Sequence, residues 1–219
     1  MLGLFDSGNG GLNTVRYIKA NFTDVDLVYK IDRANSPYGT KSKKELTEIV
    51  QNNISELIER GAEKVLIACC TASTVYNTLE KNYREISIPI IAPIAKRAMI
   101  KSNSKSIGVI ATQRTVAAHA FKRAMPGCKV TEIPMQELVG LIDNGLNDKT
   151  VTEREKSQLE RILARLSDKN IDTLILGCTH FPALKSTFLE ICTPLGIANI
   201  IDSAEVGAEA LRHSILQGL

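Results

Sequence analysis

The sequence predicts an α/β protein of two similar domains with mainly parallel sheets, related by pseudo-symmetry, with the functional site in the cleft between them. Three observations carry this. Short apolar, β-branched runs alternate with amphipathic segments along the whole chain, as strands and their covering helices do in parallel layers. The pattern occurs twice, since Gly3-Leu4-Phe5-Asp6-Ser7 opens one half and Gly108-Val109-Ile110-Ala111-Thr112 opens the other. Finally, Cys69 lies 66 positions after Gly3 and Cys178 lies 70 after Gly108. Each half therefore runs strand, turn, helices, strand and thiol over almost the same distance.

Taken in order, the expected strands are residues 2–5, 27–31, 64–68, 90–91, 106–110, 129–133, 173–176 and 199–201. The expected helices are 11–21, 43–60, 73–83, 95–101, 113–125, 136–144, 152–169, 182–189 and 204–216. The second helix states its face clearly. Leu46, Ile49, Val50, Ile54 and Leu57 form one apolar stripe, with lysines and glutamates opposite. The apolar run into Pro93 suggests a division into residues 1–92 and 93–202, with 203–219 packing back on the first domain.

Bulk properties narrow the function. A chain of 219 residues with 44% hydrophobic and 23% charged residues is an ordinary globular protein with room for a substantial core. A net charge of +3 is too small to argue for nucleic acid or an anionic membrane. The apolar start, Met1 to Phe5, meets Asp6 at once and reads as a strand rather than a signal peptide. No apolar run reaches the roughly 20 residues of a membrane span. Five cysteines in a chain of this length do not suggest a disulfide framework. The expectation is a cytoplasmic protein with reduced thiols.

In open α/β sheets chemistry collects beyond the carboxyl ends of the strands. Cys69 and Cys178 both fall at such ends, each closing an apolar run and each followed by a hydroxyl donor, Thr71 and Thr179. Either thiol alone is as compatible with a small buried hydrophobe. Matched placement points instead to a two-base site, one thiol taking a proton and the other returning it. Cys69 precedes an expected helix start, which favours thiolate. His180 lies two residues past Cys178, close enough to exchange a proton. A zinc site is the competing chemistry, but neither Cys-x-x-Cys nor paired histidines occur. A dithiol role for Cys69-Cys70 would require a strained ring.

Two further polar clusters sit at strand ends. Asp6-Ser7-Gly8-Asn9-Gly10-Gly11 is a glycine-rich turn that suits a small carboxylate or, equally, a plain turn capped by Asp6. It fits neither the dinucleotide nor the phosphate-loop spacing. The segment from Asp32 through Ser36, Pro37, Tyr38 and Gly39 is a tight loop whose N–H groups could face a ligand or face nothing.

Together the motifs resemble the glutamate racemases of the cofactor-independent aspartate/glutamate racemase family. The matching segments are Phe5 to Leu12, Asp32 with Pro37-Tyr38-Gly39, Ala68-Cys69-x-Thr71-Ala72-Ser73, Gly108 to Thr115, and Gly177-Cys178-Thr179-His180-x-Pro182. They stand in family order across nearly the whole chain. The resemblance implies racemisation of glutamate for peptidoglycan synthesis, with aspartate or another amino acid, or a ligand-binding homologue with weak turnover, as alternatives. It implies that Asp6 assists Cys69 and His180 assists Cys178, with substrate contacts from Ser7, Pro37, Tyr38, Gly39, Cys70, Thr71 and Thr179. It implies no metal or organic cofactor, and a homodimer. The chain departs from the family pattern in three ways. Cys70 stands where Asn is usual, Pro93-Ile94-Ala95-Lys96 lacks an acidic residue, and Asp143 occupies the place of a mid-domain Glu in a chain shorter than typical members.

Overall fold

The structure, a computed structural model, describes residues 1–22 and 25–216. Its first half runs β1 (Leu2–Asp6), α1 (Gly11–Asn21), β2 (Leu27–Ile31), α2 (Lys43–Glu59), β3 (Lys64–Ile67), α3 (Cys70–Ser73), α4 (Lys81–Ile86) and β4 (Ser87–Pro89). The second runs α5 (Ile91–Lys101), β5 (Ser106–Ala111), α6 (Gln113–Ala117), α7 (Ala120–Ala124), β6 (Lys129–Pro134), α8 (Gln136–Asp143) and α9 (Glu153–Leu163). It closes with β7 (Thr173–Gly177), α10 (Lys185–Cys192), β8 (Asn199–Asp202) and α11 (Ser203–Leu216).

The strands form two four-stranded sheets, ordered β2-β1-β3-β4 and β6-β5-β7-β8, with every pairing parallel. This is one permutation used twice. Register repeats as well, with Gly3 facing Val28 and Val65 as Gly108 faces Thr131 and Leu174. Every residue of β1, β5 and β7 is buried, as strands covered on both faces require.

Helices α5 and α11 join the halves. One continuous core cluster takes Leu4 and Leu66 from the first sheet, Ile94 and Ala98 from α5, Val206 and Leu211 from α11, and Val109 and Ile175 from the second sheet. Helix α11 lies close on β3 because Gly207 has no side chain, and a Cβ there would come within 2.6 Å of Ile90 Cδ1 and 3.2 Å of Leu66 Cδ2. Residues 217–219 of the expected terminal segment lie outside the described residues. Two smaller clusters fill the outer layers, one around Leu46, Ile54 and Val65 and one around Leu163, Leu174 and Phe188.

Several expected elements shift. The strand expected at 90–91 is Ser87–Pro89, and Ile91 already opens α5. Pro93 sits inside that helix because a first-turn residue needs no intrahelical N–H bond. The helix expected at 73–83 is two short helices, α3 and α4. The helix expected at 113–125 breaks at His119, whose φ of 47° is left-handed. The segment 152–169 is α-helical only to Leu163 and tightens to a 3-10 helix over Ala164–Lys169. Among the described residues no helix is long and apolar enough to cross a membrane.

Candidate active site

The carboxyl ends of both sheets open on one cavity of about 130 Å³. The first sheet supplies Ser7 after β1, the Pro37-Tyr38-Gly39 loop after β2, and Cys69, Cys70 and Thr71 after β3. The second supplies Thr112 after β5, Gln136, Val139 and Asp143 from α8, and Cys178, Thr179 and His180 after β7. Every expected catalytic or substrate-contact residue lines this cavity except Asp6, which is fully buried. Gly8, Ser36, Thr112, Gln136, Val139 and Asp143 also line it. In the sequence Gly8 and Ser36 figure only as parts of their loops and Asp143 only as a departure from the family pattern, and Thr112, Gln136 and Val139 have no assigned role. Thr112 had a signal, because it follows β5 as Ser7 follows β1. Gln136, Val139 and Asp143 had none in spacing, since only tertiary folding brings α8 to the site.

The two thiols have different surroundings. Cys69 caps α3, its sulfur within 3.5 Å of the Ala72 N–H and 3.4 Å from Ser7 Oγ. Burial pushes its thiol up to about 11, and the Asp6 charge adds to this, while Ser7 and the Ala72 and Thr71 N–H groups pull the other way. Asp6 accepts the Gly8 N–H at 2.8 Å through Oδ1, and its buried Oδ2 has no hydrogen-bond partner among the described residues. Burial raises the Asp6 carboxyl, with the Gly8 N–H and the nearby His180 ring opposing.

Cys178 Sγ lies 3.6 Å from His180 Nδ1, and His180 Nε2 lies 3.2 Å from Asp143 Oδ1. A carboxylate on Nε2 fixes the proton there and leaves Nδ1 as the acceptor facing the thiol. Burial also pushes the Cys178 thiol up, opposed by the backbone N–H of His180. Ser203 Oγ donates to the Cys178 carbonyl at 3.3 Å and pins this turn. Cys70 is 2% exposed, packs into the shared core, and has no side-chain hydrogen bond among the described residues.

The glycines of the first turn serve two ends, for Gly8 lines the cavity while Gly10 lies at a contact between the halves. A Cβ on Gly10 would come within 2.3 Å of Thr179 Oγ1 and 2.6 Å of His180 Nδ1. Gly10 is therefore where the second half docks against the first, and Asn13 Nδ2 reinforces the contact by donating to the Thr179 carbonyl at 2.8 Å. Thr71 and Thr112 hydroxyls meet across the cleft at 2.9 Å. Among the described residues no three His, Cys, Asp or Glu side chains converge as a metal cluster would.

A site with a thiol on each wall, each beside a proton-carrying partner, suits proton removal from one face of a carbon and delivery to the other. Comparison with known proteins agrees. The family model described as Asp/Glu/Hydantoin racemase matches residues 13–211. The glutamate racemase of Aquifex aeolicus is 36% identical over 98% of this chain and 83% of its own length, and that of Desulforudis audaxviator is 34% identical over 99% and 79%. Among solved structures, glutamate racemase isoform RacE1 from Bacillus anthracis superposes with a TM-score of 0.85 at 30% identity, covering 100% of this chain and 82% of that one. The Francisella tularensis glutamate racemase in complex with D-glutamate gives 0.83 at 27% identity, covering 99% and 81%. The chain belongs to the Asp/Glu/hydantoin racemase family.

Proposed function

We propose that this protein interconverts L- and D-glutamate by two-base proton transfer at the α-carbon, with Cys69 and Cys178 as the two bases. The observation that carries this is their delivery, by equivalent strand ends of two sheets, into one cavity, with Ser7 Oγ beside one thiol and His180 Nδ1 beside the other. One thiolate removes the weakly acidic α-proton while the opposed thiol donates to the other face. The hydroxyls of Ser7, Thr71, Thr112 and Thr179 line the space where charge develops on the substrate carboxylate, and donors aimed there stabilise it. Both thiols are held high by burial, so a substrate ammonium beside them would favour the thiolate. Asp6 serves the Cys69 side and the His180–Asp143 pair serves the Cys178 side.

In this proposal residues 1–92 with 203–219 and residues 93–202 act as two domains that hold substrate between them. The enzyme works without metal or organic cofactor, as a cytoplasmic homodimer supplying D-glutamate for peptidoglycan. Cys70 favours a second reading, racemisation of aspartate or another amino acid, because a thiol is a poor hydrogen-bonding group at a substrate wall.

The test is α-hydrogen exchange in heavy water combined with chiral analysis across glutamate, aspartate and their neighbours, with Cys69→Ser and Cys178→Ser alongside. Exchange and inversion of glutamate, lost in both variants, is the expected result. No exchange from either enantiomer of glutamate would sink the proposal, and inversion of aspartate alone would select the second reading.

A further inference from the structure

Asn53 breaks the rule of its own helix. The buried face of α2 is otherwise Leu46, Val50, Ile54 and Leu57, yet Asn53 is buried among them with 1% exposure. Its Nδ2 lies 2.9 Å from Asp32 Oδ2, 2.9 Å from Tyr38 Oη and 2.9 Å from its own helix's Ile49 carbonyl. Its Oδ1 is buried with no partner among the described residues. An unpaired buried carbonyl costs stability. A residue present only to fill space would be aliphatic, so the amide is there for its donors.

Those donors end at the substrate wall. Tyr38 Oη donates to Asp32 Oδ2 at 2.7 Å, and Asn35 Nδ2 lies 2.9 Å from each Asp32 oxygen. Asp32 N–H in turn donates to the Asp6 carbonyl at 2.9 Å. Burial pushes the Asp32 carboxyl up, but the bonds from Asn53, Tyr38 and Asn35 outweigh it and hold it below the usual range. Burial and the Asp32 carboxylate keep the Tyr38 phenol protonated. Tyr38 and its neighbours Pro37 and Gly39 line the cavity.

We infer that Asn53, a residue outside the cavity, is a positioning residue that locks the Pro37-Tyr38-Gly39 loop in its substrate-binding place through Asp32. With the racemase function proposed above as its basis, the loop is one wall of the substrate site, and the two thiols stand on other turns. Removing the amide therefore weakens substrate binding far more than it slows proton transfer.

The experiment compares Asn53→Leu, Asp32→Asn and the double variant with the unaltered chain, in steady-state racemisation and in limited trypsin digestion. Asn53→Leu should raise KM about tenfold, the loss expected for a hydrogen bond to a charged group, with kcat held within about threefold. In the Asp32→Asn background the same change should alter KM by less than about twofold, since contacting residues couple. Trypsin should cut faster after Arg33 and Lys41, which flank the loop, while the exposed Lys149 site keeps its rate. An unchanged KM with unchanged loop cleavage would overturn the inference. So would equal acceleration at all three sites, which marks general destabilisation. If the unaltered chain racemises no amino acid, the proposed function fails, and the digestion alone still decides the role of Asn53.

Discussion

Asp143 reaches His180 from a different element, its Oδ1 3.2 Å from Nε2, and thereby turns the Nδ1 lone pair toward Cys178. The carboxylate end stands at the last residue of α8 and is partly exposed, while the imidazole is buried. A solvent-facing acid thus sets the tautomer of a buried ring.

This relationship predicts a graded response at position 143. Asp143→Asn keeps an acceptor for Nε2–H and should stay within about tenfold of the parent kcat. Asp143→Ala frees the ring and should lose about 10²-fold, the lower range for general acid–base catalysis. Steady-state kinetics in both directions provide the check, and equal activity of all three proteins would remove Asp143 from the relay.

The thiols predict the shape of the pH profile. Cys69 is pushed up to about 11 and Cys178 is also raised, so both are protonated in the free protein near neutrality. The active base is a thiolate, and its fraction grows as pH rises toward the thiol pKa. kcat/KM, which reports the free enzyme, should therefore climb by close to tenfold per unit between about pH 7 and pH 9. A flat profile would mean that a thiolate exists before substrate arrives.

Gly10 predicts a local defect without a global one. Any Cβ there strikes Thr179 Oγ1 and His180 Nδ1, at 2.3 and 2.6 Å. The turn carrying His180 must move by a sizeable fraction of an ångström or more, and such a displacement of a catalytic group costs about 10²-fold. Gly10→Ala should show that loss in kcat with its circular dichroism spectrum intact. Full activity in the variant would show that the cleft can open at no cost.

Most of the architecture was legible because it is periodic. Buried strands announce themselves as apolar runs, and the repeat of Gly3 to Cys69 in Gly108 to Cys178 carried the two-sheet plan and the pairing of thiols. Helix ends were less legible. His119 adopts a left-handed conformation that no local signal marks, and Pro93 suggests a boundary while lying inside a helix. At the site, the matched placement of Cys69 and Cys178 was legible from spacing, while the substrate-contact residues on the strand-end turns came from the family resemblance. Asp143 was marked only by its place in the family pattern, Gln136 comes from a helix face and Asn53 hides in an apolar stripe, so the packed structure is what brings them to the chemistry.

Asp172 predicts a stability effect away from the site. Its carboxylate accepts the Ser102 hydroxyl at 2.6 Å and the Asn103 and Ser104 N–H groups at 2.8 and 2.7 Å, closing the turn that feeds β5. Burial opposes ionisation, but these donors hold the carboxyl down to about 2. A depressed folded-state value contributes stability above the unfolded carboxyl's pKa and loses it as pH falls through the folded one. Asp172→Ala should cost about 1–3 kcal/mol at neutral pH, from the hydrogen bonds it strands in a partly exposed turn. Urea unfolding should show the gap between variant and parent narrowing as pH falls from about 4 toward 2. A constant gap would mean that the carboxylate contributes nothing through its charge.

Cys70 predicts the direction of substrate tuning. Its thiol borders the cavity beside Thr71 and Thr112, yet nothing among the described residues bonds to it. The surrounding contacts are apolar on one side, from the core it shares with Ile90 and Ala111, and open to substrate on the other. An amide at this position would find no partner in the core and would turn toward the substrate, adding donors that a thiol lacks. Cys70→Asn should therefore raise kcat/KM for glutamate about tenfold, the worth of one hydrogen bond to a charged group, with the gain in KM. Cys70→Ala, which removes a poor hydrogen-bonding group, should leave kcat/KM within about threefold. If Asn lowers activity toward glutamate and Ala does too, the thiol itself contributes to substrate binding, and the preference of the site is built around sulfur at this wall.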